Sequence, residues 1–239
     1  MKERIFRFKQ FSVCHSKSAM KVGVDGVLLG AWADVGGKSV LDVGTGCGLI
    51  ALMAAQRNVN AHILGIDISN EAIEEARSNI NLSPWHDRVG AVCVSFQRQL
   101  ELPARFDCII SNPPFFNSGI PDPSTEREKS RHIAELSPEI ILQNASRILS
   151  DNGVVSLITP ADYLTSLKAA AETGNLHCAK LSLVATVEGK KPKRLLSQWK
   201  RHKPDSIVQN VINIEDGKFP DRHFSAEYQS LCSPFYLLM

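Results

Sequence analysis

The sequence predicts an α/β protein with a doubly wound, mainly parallel seven-stranded sheet and helices on both faces. Three observations lead there. From residue 39 onward, short apolar runs alternate with helical patterns, which is how βαβ units read. Three of the runs end in polar residues, Asp42, Asp67 and Asn112. The last two clear runs follow one another closely enough to pair as antiparallel strands.

The elements follow in order. Ser39–Val43 reads as the first strand, and Cys47–Arg57 as a helix with Leu49, Ile50, Leu52 and Met53 on its apolar side. Ala61–Asp67 is a second strand and Asn70–Asn81 a second helix, capped by Ser69 or Asn70. Val89–Ser95 and Phe106–Ser111 are two more strands. Ser137–Leu149 reads as a helix with Pro138 in its first turn, stopped by Asp151-Asn152-Gly153. Val154–Thr159 is the fifth strand and Ala161–Thr173 a helix. Leu181–Val187 and Lys193–Lys200 form the antiparallel pair; Ile207–Ile214 is apolar but fits either type of element.

The 239 residues are expected to form a single domain, with an N-terminal extension over 1–38. Such a chain buries a full core without staples. At 44% hydrophobic and 22% charged residues it is globular in composition. No apolar stretch approaches the roughly 18–20 residues of a membrane span. Charges at Lys2, Glu3 and Arg4 stand where a signal peptide would be apolar, so a cytoplasmic protein is expected. None of the six cysteines is spaced as Cys-x-x-Cys, so no metal is expected. The net charge of +2 conceals a segregation. Lys190–Lys203 holds seven Lys and Arg and no acid, leaving 20 basic against 25 acidic residues elsewhere. A concentrated basic stretch fits a polyanionic partner, or else is a solvated loop. Nothing in the sequence sets the oligomeric state.

In a doubly wound sheet, ligands bind at the carboxyl ends of the strands. The first strand runs into Asp42-Val43-Gly44-Thr45-Gly46-Cys47-Gly48. Alternate glycines allow a tight turn and close backbone approach to a ligand at a helix N-terminus. Asp67, nineteen residues after Gly48, ends the second strand, where a carboxylate can accept both hydroxyls of an adenosine ribose. These features indicate a nucleoside cofactor. The dinucleotide fingerprint does not fit, because its last glycine position is Leu49 and Gly48 comes one residue early. Asp42 would suit a ligand that carries a cation.

The fourth strand ends in Ser111-Asn112-Pro113-Pro114-Phe115-Phe116. Two prolines can continue neither a helix nor a central strand, and the first presses Asn112 into an extended shape. The result is a stiff turn at the rim of the cofactor cleft.

The glycine loop resembles the first motif of class I S-adenosylmethionine-dependent methyltransferases, and Asn112–Phe115 resembles their Asn-Pro-Pro-Tyr/Phe motif for planar nitrogens. Further stretches narrow the resemblance: Phe8-Lys9-Gln10-Phe11, Ala19–Trp32, Asn81-Leu82-Ser83-Pro84-Trp85 and Phe235–Met239. Together they are similar to a bacterial family of valine-tRNA adenine-N6 methyltransferases, over nearly the whole chain.

The resemblance implies a Rossmann-like fold, S-adenosylmethionine as cofactor and tRNA as partner. It places Lys21 to Gly23 near the methionine end of the cofactor. Asp42, Gly44, Thr45 and Gly46 would line it, and Asp67 with Ile68 beside it would hold the ribose. Where relatives carry an acid after the third strand, this chain has Ser95 and Phe96, as a weak substitute and a stacking ring for the cofactor's adenine. Asn112, Pro113, Pro114 and Phe115 would be catalytic. An exocyclic amine is a weak nucleophile, so acceptors aimed at its two N–H bonds, the Asn112 Oδ1 and the Pro113 carbonyl, would draw electron density to nitrogen. Phe115 would stack on the base. Lys190, Lys191, Lys193, Arg194, Trp199, Lys200, Arg201 and Lys203 would bind RNA, and Arg127, Lys129 and Arg131 of the 117–136 loop would contact phosphates. The alternatives are methylation of a ribosomal RNA base or of a protein glutamine. The glutamine enzymes carry a helical domain before the glycine loop, and only about 40 residues precede Asp42 here.

Overall fold

A computed structural model describes residues 4–18, 21–101, 105–115, 136–218 and 223–239. A short hairpin of β1 (Ile5–Arg7) and β2 (Ser12–Cys14) precedes α1 (Val24–Trp32). The wound sheet then alternates β3 (Ser39–Val43), α2 (Leu49–Arg57), β4 (His62–Asp67), α3 (Asn70–Asn81) and β5 (Val89–Cys93). It continues with β6 (Phe106–Ser111), α4 (Pro138–Ala145), β7 (Leu149–Pro160), a 3-10 turn at Ala161–Tyr163 and α5 (Leu164–Thr173). The last elements are β8 (His177–Val187), β9 (Arg194–Lys200), β10 (Val208–Glu215) and α6 (Ala226–Cys232).

The strand order is β10-β8-β9-β7-β6-β3-β4-β5. The five strands β5, β4, β3, β6 and β7 run parallel, and β9 is antiparallel to both β7 and β8. The ambiguous run Ile207–Ile214 becomes an eighth strand, pairing parallel to β8. Helices α1, α2 and α3 pack over one face around Leu29, Met53 and Ile73. On the other face α4 and α5 close over Leu41, Ile109 and Leu157.

Three expectations need correction. The helix expected to reach Leu149 stops at Ala145. The Arg201 guanidinium takes the Ser146 and Leu149 carbonyl oxygens and ends the turn. Asp151-Asn152-Gly153 is not a helix stop; it lies within β7, where the pairing with β6 jumps from Phe106↔Leu149 to Cys108↔Val154. Finally, the basic stretch is not one surface. Because β9 crosses the sheet antiparallel, Lys190, Lys191 and Lys193 sit at the carboxyl end of the parallel strands. Lys200, Arg201 and Lys203 lie about 20 Å away, by strand rise, at the opposite end. Trp199, expected to meet RNA, is 1% exposed and donates its Nε1–H to Ser197 Oγ at 3.0 Å. No helix of the described residues is long and apolar enough to cross a membrane, and among them no His/Cys/Asp/Glu group could hold a metal ion.

Candidate active site

The glycine turn is held by its own backbone. The Gly44 and Thr45 N–H groups both donate to the Ile66 carbonyl, at 2.8 and 2.9 Å, tying the end of β3 to the end of β4. Gly44, Gly46 and Gly48 all have positive φ, at 71°, 54° and 85°, a region that L side chains rarely enter. A Cβ on Gly46 would meet nothing within 4 Å, so the turn's surface there is open.

Asp42 lies beneath the turn, fully buried. Its Oδ2 accepts from Thr45 Oγ1 at 2.6 Å and from the Ala51 N–H in the first turn of α2 at 3.1 Å. Among the described residues its Oδ1 has no partner. Burial pushes its pKa up to about 7, only partly opposed by the bonds from Thr45 and Ala51, and the Asp67 charge pushes the same way. A buried carboxylate with an open oxygen beside a second carboxylate is a place for a cation. Asp67 bridges the turn to α3: its Oδ2 accepts from the Gly46 N–H and its Oδ1 from the Ser69 N–H, both at 3.0 Å. Each oxygen retains a lone pair for a further donor such as a ribose hydroxyl.

Two residues expected at the cofactor are engaged within the protein itself. Phe96 is 3% exposed in the apolar cluster beneath β3 and β4, because the 3-10 turn after β5 swings it inward. It is core, not an open stacking face. Lys21 donates its ammonium to the Ser16 and Ser18 carbonyls at 3.0 and 2.9 Å, which folds the N-terminal segment on itself. Ser95 accepts from the Gln97 N–H at 3.2 Å and caps that turn, and neither Ile68, directly after β4, nor Gly23, which opens α1, is buried.

The Asn-Pro-Pro-Phe turn begins directly beside this cradle. Ser111 pairs with Val43 in the register of β6 and β3, and its Oγ donates to the Val43 carbonyl at 2.7 Å. The last residue before Asn112 is thus bonded to the residue before Gly44. Pro113 is buried, while Asn112, Pro114 and Phe115 are half-buried at the rim. Arg127, Lys129 and Arg131 fall outside the described residues.

Two residues escaped the sequence reading. Glu75 of α3 accepts the Ser16, Lys17 and Ser18 N–H groups at 2.6, 2.7 and 2.9 Å. Asn79, one turn on, exchanges hydrogen bonds with the Cys14 backbone and donates to the Cys47 carbonyl. No sequence signal separates them from the solvated polar face of an amphipathic helix. The i, i+4 spacing is the only hint.

Comparison with known proteins decides the family. The methyltransferase small domain family matches residues 16–163. The tRNA1(Val) (adenine(37)-N6)-methyltransferase of Phocaeicola vulgatus is 42% identical over 240 residues, 98% of each chain. The chain belongs to this methyltransferase family. Among solved structures, a predicted O-methyltransferase from Agrobacterium tumefaciens shares the fold with a TM-score of 0.64 and 18% identity, over 88% of this chain and 96% of that one. A Thermus thermophilus 16S rRNA N2 G1207 methyltransferase, solved with S-adenosylmethionine and guanosine, shares it with a TM-score of 0.55 and 20% identity. That match covers 84% of this chain and 50% of the other. The cofactor of this class fits the cradle found here: a turn whose surface is open at Gly46, a buried carboxylate with a free oxygen, and a strand-end carboxylate.

Proposed function

We propose that this protein transfers a methyl group from S-adenosylmethionine to the exocyclic N6 of adenine 37 in tRNA1(Val), in the cytoplasm. The observation that carries the reading is the Ser111–Val43 bond, which sets Asn112-Pro113-Pro114-Phe115 beside the glycine cradle on the neighbouring strand. The full-length similarity to tRNA1(Val) methyltransferases supports the choice of substrate.

In this reading Asp42 faces the cationic part of the cofactor and Asp67 accepts from its ribose. The cofactor, when bound, supplies an electrophilic methyl on a sulfonium. Asn112 Oδ1 and the Pro113 carbonyl accept the two N–H bonds of the adenine amine and orient its lone pair. The prolines hold those acceptors rigidly, and rigid placement is the main contribution a protein can make to an in-line displacement. The amine becomes acidic only as it is methylated, so no strong base is needed beforehand. The adenine has to leave its stack to enter, and Phe115 offers a ring for it. Lys190, Lys191 and Lys193 are all exposed at the same end of the sheet and meet the phosphates.

The test is incubation with labelled S-adenosylmethionine and total tRNA lacking the modification, followed by nucleoside analysis. Label in N6-methyladenosine, lost in Asn112→Ala, is expected. Label in ribosomal RNA or in protein glutamine, with none in tRNA, would overturn the substrate.

A further inference from the structure

Arg194 lies in the basic stretch, yet its guanidinium is directed toward the site. Its Nε donates to Asp25 Oδ2 at 2.8 Å, with both side chains only 29% exposed. Its Cζ stands 5.0 Å from the centroid of the Phe115 ring. Its Nη1 donates to the Lys193 carbonyl at 3.2 Å. The backbone beneath is fixed as well, because Arg194 pairs with Pro160 across β7 and β9 and the Lys193 carbonyl accepts from the Ala161 N–H at 3.2 Å. Asp25 itself is in the first turn of α1, the helix that opens at Gly23.

We propose that Arg194, held by Asp25, is a positioning residue that sets the plane of the Phe115 ring against which the target base stacks. The proposal rests on the function proposed above. Phe115 follows two prolines and lies in no strand or helix, so a contact to its ring from another element helps to fix its plane. A guanidinium is flat, permanently charged and attracted to an aromatic face. It can therefore define the plane of the ring from one side and leave the other for a base. The Asp25 carboxylate fixes the guanidinium in turn. It also neutralises its charge, which a residue meant to attract phosphate would keep.

The pairing makes the two roles of Arg194 separable. If Arg194 positions Phe115, Asp25→Asn frees the guanidinium and impairs catalysis. If Arg194 grips phosphate, Asp25→Asn removes a competing acid and strengthens tRNA binding. The experiment measures kcat and KM for tRNA, and the salt dependence of tRNA affinity, for the wild type, Arg194→Met, Arg194→Lys and Asp25→Asn. Cofactor affinity is measured for each to confirm a folded site. We expect kcat to fall about tenfold in Arg194→Met and Asp25→Asn, in the range of a lost cation–π contact at a desolvated site. Arg194→Lys, which keeps the charge but not the plane, should fall between, with the salt slope unchanged in all. Should Arg194→Met fail to fold, Asp25→Asn and Arg194→Lys decide the matter alone. Wild-type kcat in the variants would overturn the proposal, as would tighter tRNA binding in Asp25→Asn with a shallower salt slope in Arg194→Met. A wild type that leaves tRNA unmethylated would instead overturn the substrate reading, a distinct result.

Discussion

The Asn79 side-chain amide donates to the Cys47 carbonyl of the glycine turn at 2.8 Å, and the same nitrogen donates to the Cys14 carbonyl, also at 2.8 Å. One side chain of α3 thereby joins the N-terminal hairpin to the cofactor cradle. Glu75 completes the link, with three consecutive backbone N–H groups on its carboxylate. The N-terminal segment is thus fastened to the cradle by side chains of α3.

This fastening should show in stability. Burial alone would raise the Glu75 pKa, but the N–H groups of Lys17, Ser18 and Ser16 outweigh it and hold the carboxyl below its ordinary value. A depressed folded pKa means the stabilisation is present above the ordinary carboxylate range and is lost as pH falls through the lower folded value. Glu75→Ala should cost about 2 kcal/mol at pH 7, the worth of hydrogen bonds to a charged group. The difference from wild type should shrink on acidification. Urea titration at pH 7 and pH 3.5 checks both.

Asp42 should respond to pH in the opposite sense. Its pKa is raised to about 7, so the stability associated with its protonated form is present at low pH and lost as pH rises through that value. The ligand-free protein should therefore lose Tm between about pH 4 and pH 7 relative to Asp42→Asn, with no further loss above that range. A cationic ligand prefers the ionised form, so S-adenosylmethionine affinity should weaken as pH falls below 7, approaching tenfold per unit. In Asp42→Asn that dependence should flatten and binding should be weaker throughout. Calorimetric titration across this range is the check.

The split of the basic stretch gives a third expectation. Replacing Lys190, Lys191 and Lys193 together by alanine should weaken tRNA binding and reduce the salt slope by about 2 to 3, near 0.9 per phosphate contact. Arg201→Met should leave that slope alone and lower Tm, because its guanidinium serves the Ser146 and Leu149 carbonyls. Filter binding at several salt concentrations with a thermal melt distinguishes the two.

Trp199 offers a fourth. With 1% exposure it fills the core between β9 and the helices of its face. Trp199→Ala should cost about 3–5 kcal/mol, as large-to-small changes in a core do. In an RNA-stacking role it would weaken tRNA binding at unchanged stability.

The sequence was informative where local chemistry dictates the outcome. Helix α3 has the bounds its pattern predicts, with Ser69 accepting from the Ala72 N–H as cap. β6 ends at Ser111 because two prolines follow Asn112. Helix α1 was not legible: seven of its nine residues are buried, so it shows no apolar stripe and carries two glycines that disfavour a helix. β10 was ambiguous because it is an edge strand with Val208 and Val211 exposed, and its pattern lacks a clean inward face. The Arg194–Asp25 pair joins positions 169 apart in sequence, which only the antiparallel return of β9 brings together. A run of charges is read as contiguous on the page, whereas a strand carries its two ends to opposite sides of the molecule.

The Asn112–Phe115 turn and the Asp42–Asp67 cradle should together methylate one adenine, and site mapping on a single RNA shows whether they do. An unmodified tRNA1(Val) transcript and the same transcript with guanine in place of adenine 37 would be incubated with the protein and labelled S-adenosylmethionine. N6-methyladenosine at that position in the first, and no label in the second, is the expected result. Label that persists in the substituted transcript, or its absence from both while ribosomal RNA is labelled, would rule out adenine 37 as the target.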